Sequence, residues 1–233
     1  MRKRTFRWLW RALLLCLALG LCAQLWFFAH IVWWRDSNHN PEDTRFMRLA
    51  LAELQIKKPA AKLAHVWTPY ERISVHLKRA VIAAEDGHFL EHDGFDWDGI
   101  QYALETNLAR GRTRAGGSTI TQQVAKNLFL SPSRSYLRKG QEAIIALMIE
   151  TMWSKRRILE VYLNIAQWGE GVFGAEAAAR HYYGISAARL GPAEAARLAV
   201  MLPSPRRYGR FFGPAQQARA RRILSWMGEA ETP

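Results

Sequence analysis

Cysteine is nearly absent from this 233-residue chain: the two that occur, Cys16 and Cys22, lie within one apolar run near the N-terminus. The rest of the chain therefore has no disulfide and no thiolate metal site, so its stability has to come from a packed core. Internal repeats and low-complexity tracts are also missing, and alternating β-branched segments are scarce. These absences exclude repeat architectures and disordered chains, and they favour a mainly α fold.

Acidic residues are missing from the first 34 positions, which carry five basic residues, the last of them Arg11. Residues 13–34 then contain no charged side chain, and about 20 apolar residues are enough to cross a bilayer as a helix. The run ends in aromatic residues typical of a membrane interface, without a small-residue cleavage site, which argues against a cleaved signal peptide. It shows no polar face, which argues against a buried core helix. We predict a transmembrane helix at 13–34.

The basic residues before the span place the N-terminus in the cytoplasm by the positive-inside rule, and the rest of the chain beyond the membrane. We therefore expect a basic cytoplasmic segment at 1–12, the span at 13–34, a membrane-proximal connector at 35–65 and one domain at 66–233. Apolar periodicity with Gly or Pro at the ends predicts several helices. They lie near 46–54, from about Leu137, over 158–166, and from Pro192 to before Pro203.

The formal net charge of +13 indicates an anionic partner, which leaves nucleic acid, a membrane surface and a phosphorylated substrate open. Seven acids and no Lys or Arg occupy 80–109, whereas seven bases and no acid occupy 106–141. A second acid-free window, 195–228, holds seven arginines. Charge blocks alone usually mark solvated faces, so the side chains within the blocks decide the interpretation.

Within the acidic block, Glu85 follows the apolar run 80–84, which is expected to be buried. Burial and like-charged neighbours both raise the pKa of a carboxyl group, which suits a general base. A capping or ion-pairing role for Glu85 remains the structural alternative.

Two glycines and Ser118-Thr119 open the central element of the basic block, and Lys126 follows about two turns later. Ser118 or Thr119 can cap the helix that follows, and the free N–H groups at a helix start favour an anion. The segment does not fit the Walker phosphate loop, because no Lys follows the glycines and no strand precedes them.

A competing motif is His88-x-x-Glu91-His92, which has the spacing of inverted zinc proteases. That motif needs an uninterrupted helix, and Asp93-Gly94 interrupts it directly after His92. Zinc proteolysis is therefore the weaker hypothesis.

Five segments, in order, resemble the signatures of the peptidoglycan glycosyltransferases, the glycan-polymerising domains of bifunctional penicillin-binding proteins and of their single-domain relatives. They are 85–94 (ED-x-x-F-x-x-H-x-G), 116–127 (GGSTITQQ, then KN), 138–142, 155–164, and 171–184 continued at 194–203. The resemblance covers about 67–208, and the tail from Gly209 matches no signature. No serine begins an S-x-x-K motif and K-T-G is absent, so the chain resembles the members that lack a transpeptidase.

The resemblance implies a lysozyme-like α-helical glycosyltransferase domain with a smaller membrane-proximal lobe, after a single transmembrane helix. It implies polymerisation of lipid II into glycan strands by inverting transfer, with release of undecaprenyl pyrophosphate, in cell wall biosynthesis and cell shape. Glu85 would be the general base and Glu142 the second carboxylate, although Glu142 can also form a helix ion pair with Arg138. The implied substrate and pyrophosphate ligands are Ser118, Gln122, Gln123, Lys126, Arg134, Arg138 and Lys139. Asp86, Phe89 and His92 would support the site structurally, and Arg219 is expected to lie outside it.

The implied partners are lipid II, the lipid-linked nascent glycan, the membrane and other cell-wall synthesis or division proteins, with no nucleic acid. The implied location is the inner membrane, with the catalytic domain outside the cytoplasm. No cofactor is obligatory and no protein metal cage is expected, although Mg²⁺ or Mn²⁺ can bind through pyrophosphate oxygens. Residues 46–54 and 110–114 are candidates for contact with anionic lipid. A wall-cutting muramidase and a non-enzymatic anchor or nucleic-acid binder remain the alternatives.

Overall fold

The computed structural model describes residues 2–109, 117–133 and 135–233, and within them the chain is mainly α-helical, which confirms the predicted class. The helices are α1 (Arg2–Trp33), α2 (Arg45–Lys57), α3 (Val75–Glu85), α4 (Trp97–Ala109), α5 (Ile120–Phe129), α6 (Tyr136–Met152), α7 (Lys155–Ile165), α8 (Ala175–Tyr183), α9 (Pro192–Met201), α10 (Pro205–Arg210) and α11 (Pro214–Trp226). The strands are β1 (Ala64–His65), β2 (Gln167–Gly169) and β3 (Val172–Phe173), and short 3₁₀ turns cover Tyr70–Arg72 and Ala187–Arg189. The helices predicted near 46–54, after Leu137, over 158–166 and from Pro192 correspond to α2, α6, α7 and α9.

Hydroxyl side chains begin most of the helices that build the site. Ser74, Thr119, Ser135 and Ser154 each accept a hydrogen bond from a backbone N–H in the first turn of the helix that follows. These N–H groups have no partner inside the helix, so the caps fix where α3, α5, α6 and α7 start. The position of the charged residues on these helices is set by the caps.

Helices α3 and α5 lie at the centre of the core. Helix α3 packs on α9, which in turn packs on α11, and α5 packs on both α6 and α7. Trp168, Tyr162, Phe89 and Phe173 are the largest of the fully buried side chains. The helix that ends at Glu85 and the helix that carries Lys126 are therefore both held by packing on two sides.

A small sheet ties the segment after α2 to the domain. Its strand order is β1-β3-β2, with β1 parallel and β2 antiparallel to β3. Helix α2 packs on α5 through Met47 and Ala50, which are 2% and 3% exposed. Met47 and Ala50 thus face the protein core, whereas Leu49 is exposed, so contact of 46–54 with lipid stays a prediction; 110–114 lie outside the described residues.

Within the described part of the chain, one helix is long and apolar enough to cross a membrane, at Arg7–Trp33. The last turns of α1 dock on α6, where the side-chain amides of Gln24 and Gln141 exchange hydrogen bonds of 2.8 and 3.0 Å. The Trp153 indole N–H donates to the Ile31 carbonyl at 2.7 Å, and Arg157 Nε donates to the Trp34 carbonyl at 3.1 Å. The apolar helix is therefore fastened to the domain by both packing and hydrogen bonds.

Candidate active site

The segment after Glu85 is a compact loop held by Asp86. One carboxylate oxygen of Asp86 accepts from His92 Nε2 at 2.8 Å, and the other accepts from the backbone N–H of Ile120 at 2.8 Å. His92 Nδ1 accepts from the Gly94 N–H at 3.1 Å, which assigns the ring proton to Nε2. Asp86 therefore links the end of α3 to the positive N-terminus of α5.

Phe89 and Thr119 complete this link. Phe89 is fully buried, and Lys155 Nζ lies 4.8 Å from the centre of its ring. Thr119 caps α5 and donates its own hydroxyl hydrogen to the Gly94 carbonyl at 2.8 Å. Asp86, Phe89 and His92 thus make contacts within the protein, and their role as supports of the site stays a prediction.

Glu85 is the last residue of α3, and its side chain is partly buried. Burial raises the pKa of the Glu85 carboxyl, while the Gln123 hydrogen bond and the positive charges of Arg219 and Lys126 act in the opposite direction. The Gln123 amide donates to Glu85 Oε2 at 3.0 Å. Glu85 makes no ion pair within 4 Å among the described residues, which leaves its carboxylate accessible to a proton donor.

Gln123 is itself held from the other side. The hydroxyl of Tyr162 on α7 donates to Gln123 Oε1 at 3.0 Å. A chain of two hydrogen bonds thus runs from α7 through α5 to the end of α3. The sequence placed Tyr162 only on the apolar face of a helix and in a family signature, with no role at the site.

Arg219 on α11 also reaches this region, contrary to the expectation that it lies outside the site. Its guanidinium donates a long hydrogen bond of 3.5 Å to the carbonyl of Ala84, the residue before Glu85. Helix α11 reaches this position because it packs on both α9 and α3. No sequence signature marks Arg219, since only the tertiary packing of α11 brings it here.

Glu142 on α6 has a different environment, because two cations bind it directly. It is 3% exposed and forms short ion pairs with Arg138 Nη1 and Lys139 Nζ. Lys139 Nζ also donates to Ser118 Oγ at 3.1 Å and to Gln122 Oε1 at 3.3 Å. The structure thus joins Ser118, Gln122, Arg138, Lys139 and Glu142 in one polar network between α5 and α6.

Lys126 lies between the two carboxylates without touching either. Burial lowers the pKa of its ammonium group, as do the positive charges of Arg138 and Lys139, whereas Glu142 and Glu85 act in the opposite direction. Within the described residues Lys126 Nζ has no ion pair within 4 Å and no hydrogen bond. A partly buried cation that lacks a partner favours an incoming anion.

Three cavities surround these groups. A cavity of about 180 Å³ is lined by Glu85, Asp86, Gly117 and Ser118, among others. It shares Gly117 and Ser118 with a groove of about 580 Å³, whose walls are apolar side chains of α4 and α6 and whose polar end is Lys139 and Gln122. A third cavity of about 170 Å³ is lined by Lys126, Gln123 and Asn127. Glu85 therefore lines the first cavity, Lys139 lines the groove that adjoins it, and Lys126 lines the third cavity.

Two of the sequence predictions remain to be placed. The zinc-protease hypothesis fails on geometry, because 88–92 lies in turns between α3 and α4 and the motif requires a helix. Within the described ranges, no group of three or more His, Cys, Asp or Glu side chains could hold a metal ion. Arg134, expected to bind pyrophosphate, lies outside the described residues.

Comparison with known proteins agrees with the geometry of the site. The family described as transglycosylase matches residues 53–228. The biosynthetic peptidoglycan transglycosylase of Azoarcus sp. (strain BH72) is 66% identical, and the match covers 99% of this chain and 99% of that protein. Those of Aromatoleum aromaticum and Dechloromonas aromatica are 62% and 57% identical, covering 99% and 97% of this chain and 100% and 98% of those proteins. The segment matched by the family includes the helices of the site, and the relatives are similar over nearly their whole length. This chain therefore belongs to the transglycosylase family and is a glycosyltransferase of peptidoglycan biosynthesis.

Proposed function

We propose that this glycosyltransferase polymerises lipid II into glycan strands. The 4-hydroxyl of one lipid II attacks the anomeric carbon of the lipid-linked growing glycan, and undecaprenyl pyrophosphate leaves. The observation that carries the proposal is that Glu85, a partly buried carboxylate with a raised pKa, lies apart from a cluster of cations, in which Lys126 has no ion pair among the described residues. Displacement of a pyrophosphate needs a base for the acceptor and positive charge for the leaving group.

In the proposed step Glu85 accepts the proton of the attacking hydroxyl. The hydroxyl oxygen forms a bond to the anomeric carbon as the bond from that carbon to the pyrophosphate oxygen breaks, and the electron pair stays on the phosphate. Attack from the face opposite the leaving group inverts the anomeric centre. Inverting glycosidases need a second carboxylic acid because an alkoxide leaves poorly. Pyrophosphate leaves as a stable anion, so cations take the place of that acid.

Lys126 is the cation best suited to receive the pyrophosphate, because it is partly buried and has no partner in the described part of the chain. Arg138 and Lys139 carry further charge at the same end of the site, and Arg138 Nε is buried without a hydrogen-bond partner among the described residues. Ser118 and Gln122 line the groove next to Lys139, and Arg134 belongs to the same set by its place in the family signature.

Glu142 acts on the cations rather than on the sugar. Both of its oxygens are engaged by Arg138 and Lys139, so it orients these two side chains and does not compete with Glu85 as a base. Asp86, Phe89 and His92 have the matching role on the other side, because their contacts fix the loop that follows Glu85. These roles assign each residue of the site to the base side or the cation side.

A divalent ion would enter this site with the substrate. The oxygens of Glu142 are held by cations, and Glu85 accepts from Gln123, so the described carboxylates do not form a cage suited to Mg²⁺ or Mn²⁺. Such an ion would be held through pyrophosphate oxygens and would supply further positive charge to the leaving group. The proton transfer to Glu85 does not depend on it.

The contact between α1 and α6 supports a substrate that stays in the bilayer. Gln24 lies inside the apolar helix Arg7–Trp33, and its amide bonds to Gln141, one residue before Glu142. The cation side of the site is thereby held next to the membrane helix, where lipid-linked substrates are found. We propose a single-pass protein of the inner membrane with the division 1–12, 13–34, 35–65 and 66–233, an extracytoplasmic catalytic domain, and cell-wall synthesis or division proteins as partners.

The test is to give the purified full chain, in detergent or liposomes, radiolabelled lipid II and to analyse the products. We expect β-linked glycan polymer, released undecaprenyl pyrophosphate and uncrosslinked stem peptides, and no covalent adduct with labelled penicillin. Absence of polymer would refute the function. Cleavage of finished lipid-free glycan instead of polymerisation would favour the muramidase, and crosslinked peptides would refute the lack of transpeptidase activity.

A further inference from the structure

A buried tyrosine stands behind the general base. Tyr162 is 1% exposed on α7, and its hydroxyl donates to Gln123 Oε1, while Gln123 Nε2 donates to Glu85 Oε2. Both hydrogen bonds are 3.0 Å long. Among the described residues, the hydroxyl of Tyr162 is the hydrogen-bond partner of the Gln123 carbonyl oxygen.

The two ends of the Gln123 amide have opposite effects on Glu85. With its NH₂ group toward Glu85, the amide donates to the ionised carboxylate, which can only accept. With the amide turned over, its carbonyl oxygen would face Glu85 and would accept a hydrogen bond from the O–H of the neutral carboxyl group. The orientation of a single amide therefore favours either the base in its active form or the base in its inactive form.

Tyr162 distinguishes between these orientations. In the observed one, the phenol donates to the amide oxygen and the amide NH₂ group donates to Glu85. After a turn of the amide, the phenol would face the NH₂ group, and its own hydrogen would be left buried without an acceptor. Leaving a buried donor unsatisfied costs about 1–3 kcal/mol, so the hydroxyl of Tyr162 favours the orientation that donates to Glu85.

We propose that Tyr162 is a positioning residue of the transferase, whose hydroxyl locks the Gln123 amide with its NH₂ group toward Glu85 and so keeps the base ready to accept a proton. The proposal rests on the proposed function, in which Glu85 takes the proton of the acceptor hydroxyl. Tyr162 acts through Gln123, because its hydroxyl hydrogen-bonds to Gln123 and Gln123 hydrogen-bonds to Glu85.

The other charged groups near Glu85 do not set this orientation. Asp86 follows Glu85 at the end of α3, Lys126 faces it from α5, and Arg219 faces it from α11. Burial raises the pKa of the Tyr162 hydroxyl well above its usual value, and the charges of Glu85 and Asp86 act in the same direction, so the phenol stays protonated and keeps its donor. Among the described residues, Asp86, Lys126 and Arg219 make no hydrogen bond to Gln123, whose partners are Glu85 and Tyr162.

The first test is the pH dependence of kcat/KM for lipid II polymerisation in Tyr162→Phe. Without the hydroxyl the amide can turn, the protonated form of Glu85 is favoured, and the acidic limb of the profile should move to higher pH. We expect about a two- to tenfold loss on that limb, the range of a single neutral hydrogen bond, and rates that approach wild type above the limb. A uniform loss at all pH values would show a merely structural role and overturn the proposal.

Tyr182→Phe is the matched control. The Tyr182 hydroxyl also donates a partly buried hydrogen bond, to the carbonyl of Trp168 at 2.9 Å, but Tyr182 lies outside the site. The same chemical change should therefore leave the acidic limb in place. A shift of equal size in Tyr182→Phe would overturn the assignment to Tyr162.

A double-mutant cycle with Gln123→Met tests the route through the amide. Gln123→Met alone should move the acidic limb at least as far as Tyr162→Phe, and the double variant should move it no further. Additive shifts would contradict a shared path. If Tyr162→Phe fails to fold, a fluorotyrosine at 162 strengthens the same donor and should move the limb to lower pH; an unmoved limb would overturn the proposal.

The reaction of the wild-type protein distinguishes a failure of the proposed function from a failure of the proposed role of Tyr162. No polymer from the wild-type protein would refute the proposed function. Polymer from wild type with an unmoved acidic limb in Tyr162→Phe would refute only the role of Tyr162.

Discussion

The two buried carboxylates of the site are held in opposite ways. Glu85 receives one hydrogen bond from a neutral amide, and Arg219 and Lys126 act on it from a distance. Glu142 is bound directly by Arg138 and Lys139. A base has to exchange a proton during the reaction, whereas an orienting carboxylate has to remain charged, so the difference supports the proposed role of Glu85 in proton transfer.

Lys139 and Lys126 also differ in whether another side chain binds them directly. Lys139 donates to Ser118 and Gln122 and pairs with Glu142, whereas Lys126 has no such partner within the described residues. A cation that is already paired with a carboxylate attracts an incoming anion less strongly than a cation without such a partner. The predictions below ask whether the base side and the cation side are as separate in function as they are in the structure.

The largest effect is expected for Glu85→Gln. The amide keeps the shape of the side chain but cannot accept a proton, and a general base contributes about 10²–10⁴-fold to rate. We expect kcat for lipid II polymerisation to fall by that range with little change in KM. Glu91→Gln is the control, because Glu91 lies in the same acidic block with an exposed side chain. Equal losses in the two variants would contradict a specific role for Glu85.

The next largest effect is expected for Lys126→Ala. Loss of one preorganised donor to a developing anion costs about 10²–10³-fold in rate, and the loss should appear in the transfer step of a single-turnover experiment. Lys58→Ala removes an equal charge from an exposed position and should leave the rate unchanged. If both variants lost activity equally, general electrostatic attraction would explain the effect better than a pyrophosphate site.

A smaller effect is expected for Arg219→Gln. The positive charge of Arg219 lowers the pKa of Glu85 against the larger opposite effect of burial, so its loss should raise that pKa and move the acidic limb of kcat/KM to higher pH. Because Arg219 is partly exposed, we expect a loss of only about two- to fivefold at neutral pH, within the range of a solvent-screened ion pair. Arg221→Gln, on an exposed part of the same helix, should not move the limb.

The smallest effect is expected in stability, and it has the opposite sign. Burial raises the folded-state pKa of Glu85 above its unfolded value, so ionised Glu85 destabilises the fold as pH rises through that raised pKa, and the penalty is absent below the unfolded pKa. Glu85→Gln should therefore unfold at a higher temperature than wild type at pH 8, by about 2–4 °C for roughly 1 kcal/mol. The gain should vanish in acid, and Glu91→Gln should show none.

Much of the fold could be predicted because its signals are local. Gly191-Pro192 marks the start of α9, the apolar spacing of 158–166 marks α7, and all but the last residue of the uncharged run 13–34 falls within α1. The strands were not predicted, because β1, β2 and β3 have two or three residues each and β1 pairs with β3 across more than a hundred positions. So short a strand has no periodicity to read.

The site divides along the same line. The candidate site residues within the family signatures could be named from the sequence, because each signature is a contiguous segment. Those among them that the structure describes lie around α3, α5 and α6. Arg219 and Tyr162 could not be given a role, because Arg219 reaches Ala84 only through the packing of α11 on α9 and α3. Tyr162 reads as a core residue in sequence, and only the hydrogen bond to Gln123 shows a second role.

The most direct test of the division into base and cation sides is the full pH profile of single-turnover lipid II transfer, for wild type and Lys126→Arg. Burial raises the pKa of Glu85 and lowers that of Lys126, so wild type should show a narrow bell whose acidic limb reports Glu85 and whose basic limb reports Lys126. Lys126→Arg should move the basic limb to higher pH and leave the acidic limb in place. Movement of both limbs together, or a basic limb that does not move, would contradict the account.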